Sequence, residues 1–290
     1  MNRRYLGCLW LGVWLVTVAN IALAEEGGAG DVGPYATGFD FSDTRFSLGI
    51  GLAALRYDAQ LNFIDKDSGD SIFVDAEGTL GLPETDVSPL LFGRYRFSPR
   101  HSLGFSFWNL RRSNTLIDGD IDLGDLEISG QVGLSDRSNF YYLSYNYTFL
   151  QDARSKVFGT VGLYGLDVRY QLEATGTISI DGTPIAGDML VRDVSVSAPL
   201  PMVGVDAIFA LTPKWSLGTK VTFVAGSVGK VRNALVLDTS VRAQYMFNDS
   251  FGLHVGMKYF NADFEVNQSA LRTEVSYGFD GIFGGLSLTF

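Results

Sequence analysis

Arg94, Arg96, Arg112, Arg169, Lys220, Arg242 and Lys258, with Asp167, Asp206, Asp238 and Glu274, all fall on the polar phase of segments in which polar and apolar residues alternate. If each segment is a strand with one apolar face, these eleven side chains converge on a shared lumen. Cations gathered at close quarters there could line a selective pore or hold a ligand. The alternative is a paired network that fills and braces the interior, as side chains fill the lumen of small barrels. The interleaving of opposite signs and the narrowness of the interior favour bracing.

Other residues with chemical potential are few. His101 falls in a short turn, and His254 lies on the inward phase near one end of a late segment. A buried histidine beside a serine or aspartate could serve hydrolysis. Neither histidine stands at the outer rim, and the stretch His254-Val255-Gly256 lacks the adjoining serine that a hydrolytic pattern would show, so no catalytic residue is assigned and the chain is read as a non-enzyme. Acids crowd two loops: Asp65, Asp67, Asp70, Asp75, Glu77, Glu84 and Asp86 in one, and Asp118, Asp120, Asp122, Asp125 and Glu127 in the other. The run from Asp65 to Asp70 places oxygen ligands at alternate positions, as a calcium loop does. Gly69 stands where a ligand belongs, Asp70 where the glycine belongs and Ala76 where the final glutamate belongs. Solvated loops are expected, with no metal and no cofactor, although the carboxylates could meet divalent cations that bridge neighbouring phosphate groups.

The elements that must position these residues are strands. From Thr44 onward the chain alternates with period two: Leu103, Phe105 and Phe107 against Gly104, Ser106 and Trp108, then Tyr141, Leu143, Tyr145, Tyr147 and Phe149 against Tyr142, Ser144, Asn146 and Thr148. Short links near 98–102, 151–155, 212–215 and 248–250 alternate with long ones near 59–86, 118–138, 173–198, 228–233 and 267–271. That implies about ten antiparallel strands with both ends of the chain on the short-turn side. Twelve follow if 72–82 also crosses, and eight if two weak segments are loops. Asp75 and Glu77 make 72–82 an extension standing above a membrane. Val275, Tyr277 and Phe279 fall out of phase with Leu286, Leu288 and Phe290, and a bulge at Asp280-Gly281 would reconcile them.

The compartment follows from composition and the two ends. Arg3 and Arg4, the apolar stretch Leu6–Val18 and Ala22-Leu23-Ala24 read as a secretory signal peptide over 1–24. A flexible Gly-rich lead over 25–43 and a barrel over 44–290 follow it. Removal of the signal takes Cys8, the sole cysteine, and moves the formal charge from -10 to -12, which excludes disulfides and argues against nucleic acid as a partner. No later run of about 18 apolar residues could form a transmembrane helix. A sheet can cross a bilayer only by closing on itself, since hydrocarbon leaves every backbone polar group to be paired within the structure. The fold class is therefore all-β, a closed antiparallel transmembrane barrel, with Tyr95, Phe97, Phe149, Trp215, Tyr245 and Phe247 at an interface level.

Phe290, with Leu288 and Leu286 at every second place before it, resembles the carboxyl-terminal signature of bacterial outer-membrane β-barrels, and the general plan is similar to OmpW-like and porin-like small barrels. The resemblance implies residence in the outer membrane, recognition of Phe290 by the barrel-assembly machinery, and lipids and lipopolysaccharide as surroundings. Three functional readings stand. One is a narrow channel or passive carrier for small or apolar solutes, its ligand unidentified. Another is a structural or surface-interaction barrel with a closed lumen, and the third is a lipid-modifying or proteolytic enzyme.

Overall fold

The computed structural model describes residues 45–290 except 67–68, 70, 80, 115–116, 123–125, 153, 181–182, 185–188 and 268–270. The segments read as signal (1–24) and lead (25–43) lie outside the described residues. The strands are β1 (Phe46–Asp65), β2 (Ser71–Asp75), β3 (Thr85–Arg96), β4 (His101–Ser113), β5 (Ile117–Asp122), β6 (Leu126–Gln151), β7 (Ser155–Ile180), β8 (Thr183–Pro184), β9 (Met189–Ala210), β10 (Trp215–Val228), β11 (Val231–Met246), β12 (Phe251–Asn267) and β13 (Leu271–Thr289). Ten of them form a closed antiparallel wall in the order β1-β3-β4-β6-β7-β9-β10-β11-β12-β13, and β13 returns to β1 from Ser47↔Thr289 to Asp65↔Leu271. The short strands β2, β5 and β8 pair along the projecting parts of β1, β6 and β7.

Along β7, β12 and β13, and along β6 up to its irregularity at Thr148/Leu150, the alternation keeps one phase while its surroundings invert. Near the short turns the outward residues are apolar: Tyr141 to Phe149 on β6, Val161 and Leu163 on β7, Leu253, Val255 and Met257 on β12, Ile282 and Leu286 on β13. On β6 this band covers nine residues, about 20–25 Å along the barrel axis at the usual rise and tilt, close to the apolar height of a bilayer-spanning barrel. Farther along the same strands the outward residues turn polar, to Arg137 on β6, Asp263 on β12 and Asp280 on β13, where Arg56 donates to Asp280 across the β1/β13 seam. Inward residues change in the opposite sense. At the short-turn end they are Arg, Lys, Ser, Asn and Thr; in the far half they are Leu61, Leu166, Phe264, Val275 and Tyr277, all buried. The wall thus has a transmembrane zone, greasy outside and polar inside, topped by a zone built like a soluble barrel.

This inversion corrects several expectations. No bulge interrupts β13 at Asp280-Gly281, because pairing runs unbroken through both residues on either side. Val275, Tyr277 and Phe279 keep the phase of Ser287 and Thr289, pointing inward above the membrane, where inward means apolar. For the same reason Asp167, Arg169 and Glu274 face outward rather than into the lumen: the outward face there meets water, and Glu274 accepts from Arg272 while Asp167 lies 3.5 Å from Arg169. The supposed long loops at 118–138 and 173–198 are largely strand, since the β6/β7 ladder extends from Gln151↔Lys156 out to Leu126↔Ile180. Alternation reports a one-sided burial, whereas pairing needs none.

The first acidic segment is also more ordered than a solvated loop. β2 pairs β1 over Gln60–Ile64, beyond the point where β3 has begun, and the chain then folds inward so that Val74, Ala76 and Leu82 join the core. The amide of Ala76 donates to the Ala59 carbonyl and that of Leu82 to the Ala76 carbonyl. Glu77, expected in solvent, accepts from the Ala59 amide and pairs with Arg112. The side chains of the second acidic segment, Asp118 to Glu127, lie outside the described residues.

Candidate functional site: a cationic cavity closed by an aromatic seal

Eight of the eleven charges singled out in the sequence point inward, at two levels. The larger group lines a cavity of about 250 Å³ in the transmembrane zone. Its wall includes Pro99, His101 and Thr289, which puts its mouth at the short-turn end, the periplasmic side of such a barrel. Arg94, Lys220, Arg242 and Lys258 lie farther in; Arg45, Arg96 and Lys156 stand next to the short turns or the chain's first strand. Asp206 is the carboxylate that lines the cavity with them. Asp238 lies just beyond the lining, holding Lys258 at 2.5 Å and accepting from the Tyr164 hydroxyl at 3.3 Å.

Aromatic faces hold the cations. Lys220 Nζ lies 3.3 Å from the Tyr142 ring centroid, Arg94 4.2 Å from Phe158, Lys258 4.6 Å from Trp108 and Arg242 4.7 Å from Phe92. Such contacts fix a cation without neutralising it. The pairing is loose as well: Arg94 approaches Asp206 only to 3.7 Å, and Asp206 Oδ1 has no hydrogen-bond partner.

Inward from the cavity the lumen is filled. Trp108, Tyr142 and Phe283 form its inner wall, and behind them pack Phe140, Tyr164, Phe260, Tyr277 and Phe279, none more than 3% exposed. Phe260 stacks on Phe279 at 4.6 Å and meets Phe140 edge-on at 5.2 Å. Rings in stacked and edge-to-face contact add to the stabilisation that burial alone supplies.

Arg112 caps this seal. Its side chain is fully buried, donates to Asp136 at 2.9 Å, to Glu77 at 2.5 Å and to the Pro83 carbonyl at 3.3 Å, and lies 4.3 Å over Tyr57. The position matters because the β3/β4 ladder stops at Leu90↔Trp108, although β3 begins at Thr85 and β4 runs to Ser113. Arg112, with Glu77 and the Pro83 carbonyl, closes that seam from within. Periodicity placed Arg112 inward, but Glu77 was missed because its partner is set by a loop fold that carries no period.

His254 points inward and its Nδ1 lies 3.0 Å from Ser287 Oγ, a serine 33 residues distant that β12/β13 pairing brings alongside. The pair is buried between Phe92 and Phe283, outside the cavity lining, and no hydrogen bond reaches His254 Nε2. A hydrolytic triad would need a carboxylate there to orient the ring. His101, at the start of β4, meets the Tyr145 hydroxyl at 2.5 Å on the outer wall. No group of three or more His, Cys, Asp or Glu with metal-ligand geometry occurs among the described residues.

No protein-family model matches the sequence, and no curated protein matches it significantly. Among solved structures the fold is similar to that of the outer-membrane protease OmpT of Escherichia coli, with a TM-score of 0.56 at 11% identity over 88% of this chain and 100% of that one. Looser likenesses reach the toluene transporter TodX of Pseudomonas putida (TM-score 0.32, 9% identity, 86% and 90% covered) and the attachment invasion protein Ail of Yersinia pestis (TM-score 0.26, 9% identity, 82% and 97% covered). At these identities the likeness concerns the fold, and the two looser ones bear no further argument. With its closed wall, its outward apolar band and its projecting polar zone, the chain has the fold of a ten-stranded transmembrane β-barrel.

Proposed function

We propose that this protein works as a closed-lumen barrel whose active surfaces are its two ends rather than a through-passage. The observation that carries the reading is the aromatic seal: five large rings, each at most 3% exposed, pack against one another inward of the cavity. On this reading the projecting strands, with β2 and the turn that follows it, form a surface platform among lipopolysaccharide headgroups. The cavity belongs to the periplasmic face. Liposome swelling with a small neutral sugar tests it: vesicles carrying the protein should swell no faster than empty ones, and swelling at porin-like rates would overturn it.

A second reading is favoured by the interrupted β3/β4 ladder. If the seam beside Arg112 opens, apolar solutes could pass the wall sideways, and Glu77→Gln should then raise their uptake. Unchanged uptake would remove the idea. Hydrolysis is disfavoured by the burial of His254 and Ser287 away from the cavity.

A further inference from the structure

We infer that the periplasm-facing cavity is a binding site for a small multivalent oxyanion of the phosphate class. Arg94, Lys220 and Arg242 are near enough to act on one another's charge, and all three act on Asp206. These three cations share Asp206, and Lys220 and Lys258 share Asp238, so four cations face two carboxylates in a walled pocket where like charges repel more strongly than in water. Bracing alone does not account for this arrangement. A bracing network satisfies its members, as Arg112 is satisfied by Glu77 and Asp136 one level higher, whereas here the cations rest on aromatic faces that leave their charge available.

Neutral donors complete the site. The hydroxyls of Ser102 and Tyr142 are buried in the cavity wall without a hydrogen-bond partner, beside guanidinium groups whose planar forks suit phosphate oxygens. An anion carrying two or more charges would relieve the repulsion between the cations. A monovalent carboxylate would do so only in part. The aromatic inner wall gives the anion no exit toward the cell surface, so the cavity captures from the periplasmic side. The same chemistry could be met by a free phosphate compound or by the phosphate of an inner-leaflet lipid headgroup entering at the rim. Anion binding by these cations does not depend on whether the lumen conducts; only the one-sided entry rests on the closed-lumen reading.

Calorimetric titration of inorganic pyrophosphate into the purified protein in maltoside micelles tests it. Saturable binding is expected, at least tenfold weaker for acetate and weakened at least tenfold by Arg242→Gln or Lys220→Gln. Asp206→Asn, which removes the competing carboxylate while keeping its shape, should tighten binding several-fold, a gain that misfolding cannot imitate. Heat-modifiable electrophoretic mobility shows which variants are folded. Repeating the titration with anionic phospholipid in the micelle separates the sources: loss of pyrophosphate binding assigns the site to a headgroup, and unaltered binding assigns it to a soluble anion. The absence of saturable binding in both the natural protein and Asp206→Asn, or equal affinity in the folded Arg242→Gln and Lys220→Gln variants, would overturn the inference.

Discussion

Two lysine substitutions on the same face of β12 measure where the bilayer ends. Val255 and Asp263 both point outward and are both exposed, and they stand eight residues apart. Eight residues rise about 26 Å along a strand, or about 20 Å along the axis of a barrel tilted near 40°. Val255 is opposite Gly284, midway between the terminal girdle at Phe290 and the polar boundary at Asp280, so it lies near the membrane midplane. Val255→Lys should therefore cost about 2–4 kcal/mol, the range for lysine on a barrel wall at that depth. Asp263→Lys loses one exposed hydrogen bond from Asn261 and should change stability by no more than about 0.5 kcal/mol. Reversible guanidinium unfolding in phospholipid vesicles, followed by tryptophan fluorescence, measures both. Equal costs at the two positions would refute the inversion of the wall, for they would mean that both levels of the outer face meet the same solvent.

The seal and the closing seam give further predictions. Arg112→Met should destabilise the barrel by about 3–5 kcal/mol, because it strands the buried carboxylates of Glu77 and Asp136 without their cation; Arg56→Ala, which breaks the exposed pair with Asp280, should cost less than about 1 kcal/mol in the same unfolding assay. Gly285→Val should prevent closure of β13 on β1, since a Cβ at Gly285 would overlap the Ile50 carbonyl and the Gly51 backbone. Loss of the compact, heat-modifiable band after refolding is the expected result.

Strand existence, the ten-strand closure and the pairing of the last strand with the first were legible because the transmembrane zone obeys one rule: lipid outside, polar lumen inside. Tyr141 to Phe149 and Leu253 to Met257 display it directly. The far zone was misread where the same period continues under the opposite rule. Glu274, Asp167 and Arg169 looked inward because charge was equated with lumen, and the change at Asp280 looked like a bulge because the phase was assumed to track the solvent. The paired outward charges Arg56 and Asp280, set against apolar inward neighbours such as Tyr57 and Phe279, were the signal that could have placed the boundary. The Arg112–Glu77 contact and the His254–Ser287 contact were not legible, since each joins residues whose meeting depends on loop folding or on a register that no short-range pattern encodes. The excess of cations in the cavity was visible as a list, but not that three of them share Asp206.

Packed rings stand between the cationic cavity and the far end of the lumen. Single-channel recording of the refolded protein in a planar bilayer asks whether they block it. A flat baseline is expected at both polarities and at high salt; discrete, reproducible current steps from the natural sequence would mean that ions pass the rings.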